Sequence, residues 1–194
     1  MMCARLANPA QVIALDVDEP RLALARERGL ADAAINPAEK NLDEVESLVR
    51  AQTGGRGADA VIEAAGGDDT FEMAWRLARP NAVVVISAMY ECDQTLPLPR
   101  MYGENLTFKT GGVDASGLDE VMALIAAGKL DTSLLISRRY PLNDILDAYR
   151  AFESHEDGCL KVVITPWEPR GRRSSRHASQ GTIDASIRSV RPWR

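Results

Sequence analysis

The sequence predicts an α/β fold with a doubly wound, Rossmann-like parallel sheet, and three observations carry that expectation. Short apolar segments alternate with stretches of helical periodicity. The segments are continuous runs rich in Val, Ile and Ala, which suits strands covered on both faces better than strands with one wet face. A helix between successive strands implies crossover connections, and these make the strands parallel.

Taken in order, Gln11 to Leu15 is a short strand ending in Asp16, and Pro20 to Arg28 a helix with Asp18 as N-cap, Pro20 in its first turn and Gly29 as terminator. Ala33 to Asn36 is the next strand, Leu42 to Gln52 a helix closed by Gly54, and Ala60 to Ala64 a strand. Phe71, Ala74, Leu77 and Ala78 fall at helical spacing within Thr70 to Ala78, and the β-branched run Val83 to Ile86 reads as a strand. Further strands are expected at Leu106 to Lys109 and Leu160 to Ile164, with helices at Leu118 to Ala127 and Asn143 to Glu153. The proline-bounded segment Leu96-Pro97-Leu98-Pro99 suits an edge strand better than a central one. From Pro166 the apolar periodicity stops and Arg, Ser, Gly and Pro dominate, so residues 166–194 are expected to form a disordered basic tail after one domain over 1–165.

The bulk properties exclude several classes. With 194 residues, 45% hydrophobic and 26% charged, the chain is long enough for one well-cored domain. Its longest apolar run, Ala82 to Ile86, is far too short to cross a bilayer, and no secretory signal precedes Asp16, so a cytoplasmic location is the default. Cys3, Cys92 and Cys159 are odd in number and far apart, which argues against a disulfide framework and a structural zinc site. The net charge of −5 conceals a basic C-terminal stretch with Arg170, Arg172, Arg173, Arg176, Arg188, Arg191 and Arg194. With little aromatic interleaving, that stretch argues against nucleic acid as a partner.

The first candidate site residue is Asp16. An acid at the carboxyl end of the second strand of such a sheet can accept both hydroxyls of an adenosine ribose and repel a 2′-phosphate, favouring NAD over NADP. Arg21 follows on the first helical turn. The residues alone leave a second reading open, in which Asp16 or Asp18 simply caps the helix. The glycine cluster from Thr53 to Ala58 precedes a strand and is read as a turn, because a phosphate loop follows a strand and opens a helix. Neither G-x-G-x-x-G nor a P-loop occurs. Gly66-Gly67 follows a strand and could let backbone approach a ligand.

Several segments together bear a resemblance. Asp16-Val17-Asp18-Glu19-Pro20-Arg21-Leu22, Ile35-Asn36-Pro37, Gly54-Gly55-Arg56-Gly57-Ala58-Asp59-Ala60-Val61-Ile62-Glu63-Ala64, Asn105-Leu106-Thr107-Phe108-Lys109 and Leu160-Lys161-Val162-Val163-Ile164 stand in an order and spacing similar to the cofactor domain of zinc-type medium-chain alcohol dehydrogenases. The resemblance runs from Met1 to about Thr165. It implies that Met1 to Ala7 match the latter half of the domain's first helix, so that a catalytic zinc domain, the first strand and the glycine-rich turn would lie upstream. It also implies that Asp16 and Arg21 hold the adenosine ribose and that Ala64 and Ala65 line the nicotinamide side. Ser87, Ala88 and Met89, with Gly112 and Val113 after the next strand, would present backbone to the carboxamide, and Lys161 would contact the pyrophosphate as a point charge.

In that family zinc polarises an alcohol oxygen while the cofactor takes the hydride. Zinc is therefore expected in full-length relatives, with no ligands in this chain: His155 and His177 have no cysteine at ligand spacing and read as surface residues. None of Tyr90, Tyr102, Tyr140 and Tyr149 has a lysine four residues on, which excludes the short-chain dehydrogenase pattern. The resemblance further implies a homodimer joined through an edge strand near Leu106 to Lys109, and a small-molecule alcohol as substrate. A sheet without its first strand is expected to be weakly stable and to bind NAD weakly; if it closes, its flanking strands would pair directly. The alternatives are a non-catalytic dinucleotide-binding or dimerisation module and, with less support, a methyltransferase, which also places an acid after its second strand.

Overall fold

In the computed structural model, which describes residues 1–112, 115–154 and 158–166, the expected alternation is present. After α1 (Met2–Leu6) come β1 (Ile13–Leu15), α2 (Glu19–Glu27), β2 (Ala33–Ile35), α3 (Leu42–Gln52), β3 (Ala58–Glu63), α4 (Thr70–Leu77) and β4 (Ala78–Ile86). Then follow α5 (Leu98–Met101), β5 (Thr107–Thr110), α6 (Leu118–Ala126), β6 (Ile136–Pro141), α7 (Ile145–Glu153) and β7 (Lys161–Thr165). The expected tail lies outside the described residues from position 167 onward.

Local chemistry explains the boundaries. Asp18 caps α2 by accepting the Arg21 N–H at 3.0 Å, with Pro20 in the first turn. Asn41 and Glu44 form a reciprocal capping box at the start of α3, with N–H to oxygen distances of 3.0 and 2.7 Å. The glycine cluster after α3 is a turn, as its place before a strand predicts. At Gly57, φ is +98° and a Cβ would come within 3.0 Å of the Leu77 carbonyl oxygen and the Arg79 nitrogen, so the chain passes the α4–β4 junction too closely for any side chain.

All pairings among the described strands are parallel, but they fall into three sets: β1–β2, β3–β4–β5 and β6–β7. Among the described residues β1 and β3 do not pair, so the direct closure considered from the sequence does not occur. What joins the two sets is α3. Val45 and Val49 are buried on one face of it, in a cluster with Ile35 of β2 and Leu77 of α4, against which Ile13, Leu15, Val61 and Met73 pack. On the same helix Glu46 receives Arg76 of α4 at 2.7 Å and Arg50 at 2.9 Å, and Arg76 also reaches Asp43. A second cluster, Phe71, Ala74, Trp75, Ala78, Ala82, Val84 and Ile86, seals α4 onto β4.

One expectation is corrected, and one strand was not expected. Leu96 to Pro99 is no edge strand, because Pro97 precedes the short helix α5. Strand β6, with its exposed Ser137 and Arg139, escaped the search for apolar runs, although its first residues alternate between partly buried and exposed. The strand expected at Leu160 to Ile164 is present as β7, and it pairs with β6 alone among the described strands, across α7.

The bridging role of α3 predicts a sharp contrast in stability. Val45→Ala removes fully buried methyl groups from the cluster both strand sets share and should cost about 2 kcal/mol in urea unfolding, whereas Leu48→Ala, on the exposed face, should stay within about 0.5 kcal/mol.

Candidate functional site

In parallel sheets of this kind ligands settle at the carboxyl ends of the strands. Asp16 stands one residue beyond the end of β1, partly exposed. Its Oδ1 accepts the Asp18 N–H at 3.0 Å, and its Oδ2 lies 4.0 Å from Arg21 Nη1. Arg21 Nε is 3.4 Å from Asp18 Oδ2, so the guanidinium lies between two carboxylates. The capping role belongs to Asp18, which frees Asp16 from that duty and leaves Oδ2 open to a ligand hydroxyl. Asn36, beyond the end of β2, donates to the Val17 carbonyl at 3.2 Å and to Glu19 at 2.8 Å, tying the two strand ends together.

Beyond β3 and β4 two turns meet. Ala64 and Ala65 are exposed, as are Ser87 and Met89, the last 89% exposed, while Ala88 is partly covered. Gly66 has φ +75°, and a Cβ on it would lie 2.6 Å from the Met89 carbonyl oxygen and 3.3 Å from Ala88 Cβ, so the two turns are in contact. The Ser87 N–H is spent on the Glu63 carbonyl at 2.8 Å, which leaves only the Ser87 carbonyl to face a ligand. Gly112 is exposed just past β5, and Val113 lies outside the described residues.

Lys161 is exposed at the start of β7, in a strand set separate from β3–β4–β5. The neighbouring Gly158 and Leu160 nonetheless line a shallow depression with Pro20, Arg21, Ala23, Leu24 and Glu27, so the segment leading into β7 runs along α2 beside Arg21. His155 is outside the described residues, as is His177. Among the described residues no group of three or more His, Cys, Asp or Glu is placed to hold a metal ion.

Sequence reasoning missed Glu63. It ends β3, is only 6% exposed, and its Oε1 accepts the N–H groups of Ala65 at 2.8 Å and Gly66 at 2.9 Å. Its Oε2 is buried without a hydrogen-bond partner; the nearby hydroxyls of Tyr90 and Thr70 bond each other at 3.0 Å. Burial works to raise the pKa of Glu63, but the Gly66 N–H, the Tyr90 hydroxyl, the Ala65 N–H and the Thr70 hydroxyl together hold it below the usual carboxylate value. The signal available in the sequence was an acid closing an apolar run three residues before Gly66-Gly67.

An acid past one strand end, paired with Arg21, and a close-approach glycine past another stand where an α/β domain of this kind can take a cofactor across its strand ends. Comparison with known proteins carries this further. The zinc-binding dehydrogenase family matches residues 1–127, and the chain belongs to that family. It is 34% identical over 169 residues to an alcohol dehydrogenase of Cupriavidus necator, covering 84% of this chain and 44% of that protein. It is 31% identical to a putative D-xylulose reductase of Agrobacterium fabrum, covering 85% and 46% respectively. Among solved structures, alcohol dehydrogenase TADH from Thermus sp. ATN1 superposes with a TM-score of 0.75 at 28% identity, over 84% of this chain and 46% of that one. A protein from Escherichia coli CFT073 described as a short chain alcohol dehydrogenase, complexed with the cofactor NADH, gives 0.75 at 25% identity, over 84% and 47%. The chain thus spans less than half the length of these relatives and corresponds to their cofactor-binding portion.

Because the folded-state pKa of Glu63 is depressed, its carboxylate contributes stability that is fully present above the ordinary glutamate pKa and is lost as pH falls through the lowered value. Urea unfolding of Glu63→Gln at neutral and acid pH should therefore show a weaker loss of stability on acidification than the native chain. An equally steep acid limb in both would contradict this.

Proposed function

We propose that this chain binds NAD across the carboxyl ends of its strands, as the cofactor-binding portion of a cytoplasmic alcohol or polyol dehydrogenase that moves a hydride between an alcohol and NAD. The single observation that carries the reading is Asp16, placed past β1 with Oδ2 open while Asp18 does the capping. Asp16 accepts the ribose hydroxyls, and Arg21 lies over the adenosine side. The turns at Ala64-Ala65 and Ser87-Ala88-Met89, with Gly112, surround the nicotinamide, and Lys161 approaches the pyrophosphate. Bound NAD supplies the hydride acceptor; this chain's residues orient it and shield it from water. Zinc chemistry is assigned to none of the described residues.

The cofactor preference needs the charge of Asp16, since one relative is by name an NADP-dependent isopropanol dehydrogenase from Entamoeba histolytica. A 2′-phosphate beside this carboxylate would meet like charge, and a ribose diol would not. The reading includes a homodimer joined along β5, which pairs only with β4 among the described strands and so has a free edge; a monomer by light scattering at high concentration would remove that part. The alternative of a non-catalytic dinucleotide-binding module draws on the partial coverage of the relatives, and would show NAD binding with no alcohol oxidation.

Replacing Asp16 tests the reading directly. In titrations of the full chain with NAD and NADP, Asp16→Ser should lower the preference for NAD by about tenfold or more, the scale of a lost charged hydrogen bond and a relieved repulsion. An unchanged ratio would assign Asp16 to structure alone.

A further inference from the structure

We propose that Glu63 gives the nicotinamide end of the site its charge, so that the paired turns after β3 and β4 favour the cationic, oxidised ring over the neutral, reduced one. The inference rests on the reading that these turns face the nicotinamide. Three observations carry it. The carboxylate is 6% exposed and has no ion-pair partner among the described residues, so its field is neither screened by water nor cancelled by a counter-cation. It sits directly before the exposed Ala64 and Ala65 and is bonded to the backbone of Ala65 and Gly66, which places it at the base of the turn. By taking those two N–H groups on Oε1 it withdraws the donors that would otherwise attract an anion, and Oε2, buried near the Tyr90 and Thr70 hydroxyls, meets neutral groups alone, so the carboxylate keeps its net charge.

A turn built in this way repels phosphate and attracts positive charge, which complements the pyridinium ring of NAD+ but offers nothing to the uncharged dihydropyridine of NADH. The same contacts fix the geometry. Gly66, held by Glu63, abuts the Met89 carbonyl, so the charge is carried by the element that sets the spacing of both turns. Glu63 thus acts as a specificity-determining residue for the redox form of the cofactor.

The experiment is an NMR titration of the full chain with NAD+ and with NADH, reading the ratio of the two dissociation constants. Glu63→Gln keeps the shape and an acceptor oxygen but removes the charge, and should weaken NAD+ about fivefold more than NADH. Gly66→Ala, which disturbs the turn without touching the charge, should weaken both forms alike. Should Glu63→Gln fail to fold, Tyr90→Phe carries the test: it removes a hydroxyl that offsets the carboxylate's field and should shift the ratio towards NAD+. Equal losses of both forms in Glu63→Gln, or an unmoved ratio in Tyr90→Phe, would overturn the proposal while leaving the site reading intact. Failure of the native chain to bind either form would overturn the site reading itself, and the proposal with it.

Discussion

The structure depends on the apolar stripe of α3. Because β1 and β3 are not hydrogen-bonded to one another among the described residues, no strand ladder links these two sets directly. Val45 and Val49 replace it by reaching strand residues on both sides, Ile13, Leu15 and Ile35 on one and Val61 on the other. The ion pairs from Arg76 to Glu46 and Asp43 lie on the same helix and tie it to α4. They fix orientation more than they add energy, since partly exposed pairs of this kind contribute little each.

Asp16, just past β1, and Glu63, at the end of β3, are both acids, and their surroundings give them opposite characters. Asp16 is partly exposed, close to Arg21, and keeps one oxygen available to a partner from solvent. Glu63 is enclosed, bound to backbone N–H groups, and without a cation. A carboxylate in the first setting recognises hydroxyls by hydrogen bonding; one in the second acts through its field and through the loop it holds. The proposed site thus uses similar chemistry twice, once as a contact and once as a background charge.

Much of this was legible in the sequence. The capping signals at Asp18 and Asn41, the terminating glycines and the β-branched run before Ser87 each have a local physical cause, and the corresponding elements appear within a few residues of their expected ends. The position of Asp16, just past β1, was readable from the apolar run that precedes it. What escaped notice depended on tertiary placement. Strand β6, Ile-Ser-Arg-Arg-Tyr-Pro, is polar enough to pass for a loop and exists because β7 pairs with it. Pro97 turned an expected edge strand into the start of a helix. Glu63 had no role in the sequence reading; burial, the Ala65 and Gly66 N–H groups and the lack of a counter-ion among the described residues set it apart.

The claim that the strand ends form one nucleotide site is tested most directly by mapping amide chemical-shift changes of the full chain as NAD is added. The account predicts perturbations concentrated at residues 16–21, 64–67 and 87–89, saturating together with a single dissociation constant. Changes confined to other surfaces, such as the outer face of α3, or separate constants for the three segments, would contradict it.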